Sequence, residues 1–307
     1  MSNLQKIAFQ GVPGAYSHLS CQAFCPDWEP VAYDSFSGML RAVQNGECSY
    51  AMVPVENSTA GRVADIHHML PESGLHIIAE HFQPVKHHLL GIKGTKISHI
   101  KEVHSHEQGL AQCRKTLERL GIEPVIHSDT AGAARDVSSW NEPSKAAIAS
   151  KLAADIYGLE ILMDEITDMT LNTTRFLIMQ KHIKIPDTKY DNTHCTFVFS
   201  LRSVPAALYK ALGGFATNGI NLTKIESYMY GNQMQAVQFY VDCEGHIEQE
   251  NMQLALDRHD GRERRRDRPP PGDLARHGHV VDPDRTGGRE RDHQIDPRQP
   301  QPIRCIV

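Results

Sequence analysis

Two patterns of apolar and polar positions alternate along the first 180 residues. Apolar runs typical of buried strands occur at 7–9, 50–55 and 75–80. Helical spacing appears between them, most clearly at 35–43, where Ser35 can cap the helix and apolar residues recur every three or four positions. Such an alternation predicts an α/β domain.

The same alternation continues in a second group of elements and then returns to the first. The predicted strands are 102–106, 124–127 and 146–149, and the predicted helices are 108–120 and 130–138. Residues 161–174 lead back toward the first group. Two lobes joined by crossing segments form a cleft, which is where small ligands bind in such folds.

A different unit begins at His194. Its pattern predicts a strand at 196–201, a helix at 205–218 and two further strands at 220–230 and 236–241. The helix carries an apolar stripe with a spacing of three and four residues at Ala207, Leu208, Ala211, Leu212 and Phe215. The predicted order is therefore βαββ.

Composition narrows the class of protein. At 307 residues the chain exceeds what one core usually serves, so two or three folding units are expected. It contains no run of 18 apolar residues and no hydrophobic signal segment at its start, which predicts a soluble, cytoplasmic protein that does not enter membranes. Seven scattered cysteines without a CxxC pair predict reduced thiols, and the histidine doublets are predicted to be solvated rather than metal ligands.

Three polar segments at strand ends carry the candidate chemistry. They are GVPGAYSH at 11–18, VPVENSTAG at 53–61 and NTTRFLIM at 172–179. The last places a hydroxyl, a guanidinium and backbone N–H groups against an apolar strand, which is a place to hold an anion. The glycine turn does not match GxGxxG, so nucleotide binding is not expected.

Taken together, these three segments resemble the signatures of prephenate dehydratase, and the resemblance extends from Ile7 to about Asp257. It implies an α/β fold with a bilobed, type II periplasmic-binding-protein-like catalytic domain at 1–185. The first lobe would comprise about 1–82 and 165–185, and the second about 83–164. An incomplete βαββαβ ACT regulatory domain would follow at 194–257.

The resemblance also implies a reaction in which prephenate loses its ring hydroxyl and one carboxylate as carbon dioxide, giving phenylpyruvate and water. Aromatisation drives this reaction, so no cofactor and no metal are expected. The implied catalytic residues are Thr174, Glu56, Asn57 and Gln112. The implied substrate-binding residues are Ser58, Thr59, Ser105, Thr173, Arg175 and Phe176. The segments that bind phenylalanine in the family match Ala206, Ala207, Leu208, Glu226 and Ser227 here.

Each assignment has a simpler alternative. Thr174 could cap a turn, Arg175 could make an internal ion pair, and Ser105 and Gln112 could lie at an exposed helix start. If residues 173–175 are extended, the Thr173 side chain points away from that of Thr174.

Two departures from the family pattern affect the regulatory assignment. Ala206 stands where the family has a glycine that permits close approach to the ligand, and Tyr228 stands where many members have arginine. The expected partners are prephenate, L-phenylalanine as allosteric inhibitor, and further copies of the chain in a homodimer or homotetramer, with no nucleic acid. Arogenate dehydratase, which would use the same residues on an amino acid, and a non-catalytic amino-acid sensor are the alternative functions.

The composition changes abruptly after Asp257. Residues 258–307 contain twelve arginines, no lysine and no aromatic residue, and carry a net charge of +3 against −8 for the preceding residues. A nucleic-acid tail is one interpretation, and a disordered segment too poor in apolar residues to pack is another. We favour a third, translation in a shifted reading frame, because the family's last helix and strand would follow residue 257.

Overall fold

The computed structural model describes residues 5–169, 171–188, 193–201, 203–229, 236–259 and 304–305. The chain divides after Ile185 into two compact units. Each unit has its own sheets and core.

Eleven strands occur in the described part of the first unit. In chain order they are β1 (Lys6–Gln10), β2 (Glu29–Tyr33), β3 (Tyr50–Asn57), β4 (Gly61–Arg62), β5 (His76–Pro84), β6 (His88–Gly91), β7 (Glu102–Ser105), β8 (Glu123–Ile126), β9 (Lys145–Ala149), β10 (Glu160–Met163) and β11 (Thr173–Gln180). Its helices are α1 (Tyr16–Phe24), α2 (Phe36–Gln44), α3 (Ala64–Met69), α4 (Glu107–Gln112), α5 (Arg114–Leu120), α6 (Thr130–Trp140) and α7 (Lys151–Tyr157), with short 3-10 turns at Leu70–Glu72 and Ile97–His99.

The first lobe is built on a sheet of order β2-β1-β3-β11-β5, with β4 beside β3. Strands β1, β2 and β3 are parallel, whereas β11 runs antiparallel to both β3 and β5. The apolar side chains of β1, β3 and β11 form its core, including Ile7, Phe9, Met52 and Ile178. Because β11 returns to the middle of this sheet, everything from β6 to β10 is an insertion that forms the second lobe.

The second lobe has its own sheet of order β10-β6-β9-β7-β8. Strands β7, β8 and β9 are parallel, so their carboxyl ends lie on one edge, where α4, α6 and α7 begin. This topology confirms the expected bilobed, type II periplasmic-binding-protein-like α/β fold, with a cleft between the lobes.

Two differences between the first unit and the sequence prediction have a clear physical reason. The single helix predicted at 108–120 is broken at Cys113, because the Asp168 carboxylate accepts hydrogen bonds from the backbone N–H groups of Lys115 (2.8 Å) and Thr116 (3.3 Å) and so starts a second helix. Strand β2 was not predicted. It is a half-exposed edge strand, so it lacks the apolar signal of a buried one.

The second unit contains β12 (His194–Ser200), α8 (Ala207–Thr217), β13 (Leu222–Met229), β14 (Ala236–Glu244), α9 (Glu250–His259) and the two-residue β15 (Arg304–Cys305). Its sheet has the order β13-β14-β12-β15. Phe197, Phe215 and Cys243 are fully buried in its core.

The prediction that the second helix of this unit would follow residue 257 is wrong. Helix α9 begins seven residues earlier and buries Met252 and Ala255 completely, with Leu256 beside them. The sequence gives little signal for this helix, because its apolar positions are few and follow a mostly polar stretch at 244–251. Most of the segment 258–307 lies outside the described residues, so a nucleic-acid tail, a disordered segment and a shifted reading frame all stay predictions.

Two further properties follow from the described part of the chain. None of its helices is long and apolar enough to cross a membrane. The six cysteines whose side chains are described are all buried and none forms a disulfide.

Candidate active site

The cleft of the first unit brings together four element ends. The last residue of β3 is Asn57, and it pairs in register with Thr174 at the start of β11. Helix α4 of the second lobe ends at Gln112, and helix α1 of the first lobe begins at Tyr16. Residues more than 100 positions apart therefore meet in one cluster.

The Asn57 amide orients the Thr174 hydroxyl. Asn57 Oδ1 accepts hydrogen bonds from the backbone N–H groups of Thr59 (3.0 Å) and Ala60 (2.9 Å), which fixes the amide with its nitrogen facing the cluster. Asn57 Nδ2 then donates to Thr174 Oγ1 at 2.9 Å and to Asn172 Oδ1 at 2.8 Å. Since Thr174 Oγ1 accepts this bond, its own proton is available to another acceptor.

Gln112 connects the two lobes. Its Nε2 donates to Thr59 Oγ1 at 2.7 Å, and its Oε1 accepts from Asn172 Nδ2 at 2.8 Å. Thr59 Oγ1 in turn donates to Asn57 Oδ1 at 2.8 Å. A side chain of the second lobe is thus tied to the group that orients Thr174.

His87 and Tyr16 complete the cluster, and neither was singled out from the sequence. His87 Nε2 lies 2.9 Å from Gln112 Oε1. The single proton of the Tyr16 hydroxyl lies between the Lys86 carbonyl oxygen at 2.6 Å and His87 Nδ1 at 3.0 Å. Burial lowers the pKa of His87 to about 4 and raises that of Tyr16. Both groups are therefore uncharged at neutral pH.

The sequence held weak signals for these residues. Tyr16 lies inside the glycine-turn motif, Asn172 is the first residue of the NTTR tetrad, and His87 opens a histidine doublet interpreted as solvated. That interpretation is wrong for the doublet, because His87 and His88 are 3% and 6% exposed.

A cavity of about 460 Å3 adjoins the cluster. Thr59 and Gln112 line one part of it, and Arg114, Lys115 and Asp168 line another. Asp168 is already engaged by the N-terminus of α5. Arg114 makes only a loose, exposed contact of 3.7 Å with Glu118, so the cationic side chains here can turn toward a carboxylate in the cavity.

Hydrogen bonds between Ser58 and the backbone of Thr173 join the second and third motifs. Ser58 Oγ accepts from the backbone N–H of Thr173 at 3.0 Å, and the Ser58 N–H donates to the Thr173 carbonyl at 2.9 Å. These bonds join the loop after β3 to the start of β11. By strand alternation, Thr173 and Glu56 lie on the opposite faces of their strands from Thr174 and Asn57, so a role for either in the reaction stays a prediction.

Two residues expected to bind substrate are buried structural residues instead. Phe176 is 1% exposed and packs in the core of the first lobe, because it follows a bulge at which β11 turns its apolar residues inward. Ser105 is fully buried and donates to the Ile148 carbonyl at 2.7 Å, tying β7 to β9. Neither side chain is accessible from the cleft.

Arg175 makes an internal ion pair, which was the simpler alternative to substrate binding. Its Nε donates to Glu80 Oε2 at 2.8 Å, an ion pair between β11 and β5 in which the Arg175 side chain is 17% exposed. A role in binding a substrate carboxylate stays a prediction.

The glycine turn packs the lobes together rather than holding an anion. Gly14 has φ +91° and its carbonyl accepts from Ser150 Oγ at 2.6 Å. A Cβ at this position would lie 2.8 Å from the Ala153 Cα, so only glycine allows α7 to approach. Of this segment, Tyr16 alone makes a described hydrogen bond to the cluster around Gln112.

In the second unit, the residues matched to phenylalanine binding lie on two elements. Ala206 precedes α8 and Ala207 and Leu208 open it, whereas Glu226 and Ser227 lie on β13. Ala206 has φ +63°, a conformation that favours the glycine found there in the family. Among the described residues, no group of three or more histidine, cysteine or acidic side chains is arranged to hold a metal ion.

A two-lobed α/β unit with an oriented hydroxyl beside a cavity that Arg114, Lys115 and Asp168 help to line is typical of an enzyme that acts on a small molecule. The model of the prephenate dehydratase family matches residues 7–184, and the chain belongs to this family of enzymes. It is a dehydratase of phenylalanine biosynthesis.

Several known proteins are similar over most of the chain. A bifunctional N-acyl-homoserine lactone acylase/prephenate dehydratase of Komagataeibacter europaeus is 45% identical over 84% of this chain and 92% of its own. Arogenate dehydratase/prephenate dehydratase 1 of Arabidopsis thaliana is 44% identical over 72% of this chain, which spans 56% of that longer protein. The crystal structure of prephenate dehydratase from Arthrobacter aurescens in complex with L-Phe superposes with a TM-score of 0.77 at 28% identity, covering 82% of this chain and 85% of that one.

Proposed function

We propose that this enzyme converts prephenate to phenylpyruvate, carbon dioxide and water, with Thr174 as the catalytic hydroxyl. The electron pair of the breaking bond to the ring carboxylate moves into the ring, which becomes aromatic as the hydroxyl at the opposite carbon leaves with its own electron pair. One proton turns the departing hydroxide into water. The observation that carries the proposal is the bond from Asn57 Nδ2 to Thr174 Oγ1, which leaves the Thr174 proton free to be donated.

The rest of the cluster suits a flexible dianion. Arg114 and Lys115 bring positive charge to the cavity, while Asn57, Thr59 and Gln112 are uncharged and already oriented by one another. A group oriented before the substrate arrives does not have to be ordered during the reaction, which favours the transition state.

The test is steady-state formation of phenylpyruvate by the wild type, Thr174→Ala and Thr174→Ser. We expect Thr174→Ala to lower kcat by a factor on the order of 100 or more with KM changed less than about tenfold, and Thr174→Ser to restore much of the rate. Thr173→Ala is the matched control and should stay close to wild type. Equal losses in the two alanine variants would show that the wrong hydroxyl has been assigned.

The same assay, run with prephenate and with arogenate, determines which substrate the enzyme prefers. We expect the higher kcat/KM with prephenate, and the opposite order would assign the chain to arogenate dehydratases such as its plant relatives. If neither compound is turned over while the protein is folded, the non-catalytic sensor becomes the better description.

We also infer that residues 1–185 are the catalytic domain and that 194–257 belong to an ACT-type regulatory domain. The order β13-β14-β12-β15, with α8 and α9 as crossovers, is that of a βαββαβ fold, and the Arthrobacter relative was crystallised with L-Phe. Calorimetric titration of the full chain with L-phenylalanine tests this inference. Tight binding that survives Glu226→Ala and Leu208→Ala would place the site elsewhere. A cytoplasmic location and a homodimeric or homotetrameric state stay predictions.

A second candidate activity is hydrolysis of the amide bond of an N-acyl-homoserine lactone, favoured by the identity with the bifunctional Komagataeibacter enzyme. A hydroxyl–imidazole–carboxylate series lies in the second lobe, where β8 ends and α6 begins. Ser128 Oγ is 3.4 Å from His127 Nδ1, and His127 Nε2 is 3.0 Å from Asp136 Oδ2. Burial raises the pKa of Asp136, but hydrogen bonds from His127 and Arg135 lower it by more, so the carboxylate stays ionised.

Ser128→Ala should abolish release of homoserine lactone from such a substrate and leave dehydratase activity unchanged, whereas Thr174→Ala should do the reverse. Lactone release that is undiminished in Ser128→Ala would rule out this series as the hydrolytic site.

A further inference from the structure

The hydrogen bonds of the cleft form one continuous chain with a defined direction. It runs from Thr174 through Asn57, Thr59 and Gln112 to His87 and ends at Tyr16. Its direction is set at one end by the backbone, because the N–H groups of Thr59 and Ala60 can only donate and therefore require the oxygen of the Asn57 amide.

The orientation of the Asn57 amide determines which atom donates and which accepts in every later hydrogen bond of the chain. Thr59 Oγ1 gives its proton to Asn57 Oδ1, so it must accept from Gln112, which places the nitrogen of the Gln112 amide toward Thr59. The Gln112 oxygen consequently faces His87. An amide oxygen carries no proton, so His87 must hold its proton on Nε2 and present a bare Nδ1 to the Tyr16 hydroxyl.

The surroundings of His87 hold the ring in place. The His87 carbonyl accepts from the Ile166 N–H at 2.8 Å, and the ring is 3% exposed and packs edge-on against Tyr16 at 5.5 Å between centroids. At this burial His87 does not touch a molecule in the cleft. It acts only on what it contacts, and the contact that reaches the cleft is Gln112.

We propose that His87 is a positioning residue of the dehydratase reaction, which holds the Gln112 amide in the one orientation that keeps its nitrogen on Thr59. Tyr16 packs edge-on against the ring, and its single proton lies between the Lys86 carbonyl oxygen (2.6 Å) and His87 Nδ1 (3.0 Å), so it is the Gln112 oxygen that fixes the proton on Nε2. The inference rests on the proposed function, since it concerns the same cleft and the same reaction. If the His87 donor is lost, Asn172 Nδ2 is the one described donor left on the Gln112 oxygen, and the amide is held less firmly in this orientation.

Two substitutions of His87 distinguish the loss of the Nε2 hydrogen-bond donor from the loss of the ring's volume. His87→Gln can place an amide N–H near the position of Nε2, whereas His87→Asn is too short to reach Gln112 but can still meet Tyr16. We expect His87→Gln to keep kcat for prephenate within about threefold of wild type. We expect His87→Asn to lower kcat by a factor on the order of 10 to 100, with a smaller change in KM.

The decisive measurement is a double-mutant cycle with Gln112→Ala. If His87 works through Gln112, His87→Asn should cause no further loss of kcat, within about twofold, once Gln112 is already alanine. Its effect on Tm should be similar in both backgrounds. Losses of kcat that multiply in the double variant would overturn the proposal and leave His87 as an ordinary buried histidine.

His104→Asn is the matched control. His104 is also a buried histidine of the second lobe, 7% exposed, and packs against Trp140 away from the chain of hydrogen bonds. Its substitution should lower Tm without lowering kcat, and an equal loss of kcat in this variant would show that the assay reports loss of stability alone.

Nitrogen NMR of the folded full-length protein gives a readout that does not depend on activity. His87 should appear at neutral pH as the neutral ring with its proton on Nε2, and a proton on Nδ1 instead would contradict the assigned direction. A wild-type protein that turns over neither prephenate nor arogenate would refute the proposed function. An active wild type with an additive cycle would refute only the role of His87.

Discussion

The substitution Asn57→Asp tests the orientation of Thr174 without changing the shape of the site. The carboxylate keeps one oxygen for the N–H groups of Thr59 and Ala60, and the loop after β3 is expected to stay in place. The former Nδ2 becomes an oxygen that faces Asn172 Oδ1 at 2.8 Å and Thr174 Oγ1 at 2.9 Å. Thr174 can then rotate its hydroxyl and donate its proton to the new carboxylate.

Asn57→Asp is expected to lower kcat much more than it lowers the free energy of unfolding. The contact of two oxygens at Asn172 costs roughly 1–3 kcal/mol of the free energy of unfolding, partly offset by the charge-assisted bonds to the backbone. The Thr174 proton is no longer directed at the leaving group, so one transition-state hydrogen bond is lost. A loss of this kind lowers kcat by a factor of about 100 to 1,000. Activity should therefore fall far more than stability.

The assay is steady-state phenylpyruvate formation by Asn57→Asp, Thr174→Ala and the double variant, with urea unfolding of each. The double variant should be no slower than Thr174→Ala, because both changes remove the same hydrogen bond. Asn45→Asp, the same chemical change at the end of α2 away from the cleft, should keep wild-type kcat. A folded Asn57→Asp protein with kcat within a few-fold of wild type would refute the reasoning.

Two further predictions concern stability. Burial lowers the pKa of His87 from 6.5 to about 4, so the unfolded chain takes up this proton at a higher pH than the folded protein. The corresponding stability is fully present above about pH 6.5 and is lost as the pH falls toward 4, by about 3 kcal/mol. The difference in unfolding free energy between wild type and His87→Gln should narrow by that amount between pH 7 and pH 4, and a constant difference would contradict it. Ala206→Gly should raise the unfolding free energy by roughly 1 kcal/mol, because φ +63° strains alanine but not glycine; an unchanged or lower Tm would show that this strain is absent.

The features that the sequence determined by itself are those encoded over a few neighbouring residues. The strand at 50–55 and the Ser35 cap of α2 were predicted, because strand and helix periodicity and capping depend on residues close in the chain. The motifs around Asn57 and Thr174 also indicated the family, since each motif is contiguous. The bilobed fold followed from the order of these elements.

Only the tertiary structure decided which side chains meet. The pairing of β11 with both β3 and β5 joins segments about 100 residues apart, and it alone places Asn172 and Thr174 beside Asn57. The same packing turns Arg175 to Glu80. Pairings of this kind depend on strand register and on complementary packing, which no local pattern records.

The same reason explains the elements and residues that were predicted wrongly or missed. Helix 108–120 breaks at Cys113 because Asp168, more than 50 residues away, caps the second half. His87 has no apolar neighbour pattern in the sequence that indicates burial, because its burial and its bond to Gln112 arise only from the packing of segments 25 residues apart. A side chain's polarity is visible in the sequence, whereas the partner that satisfies it is chosen by the fold.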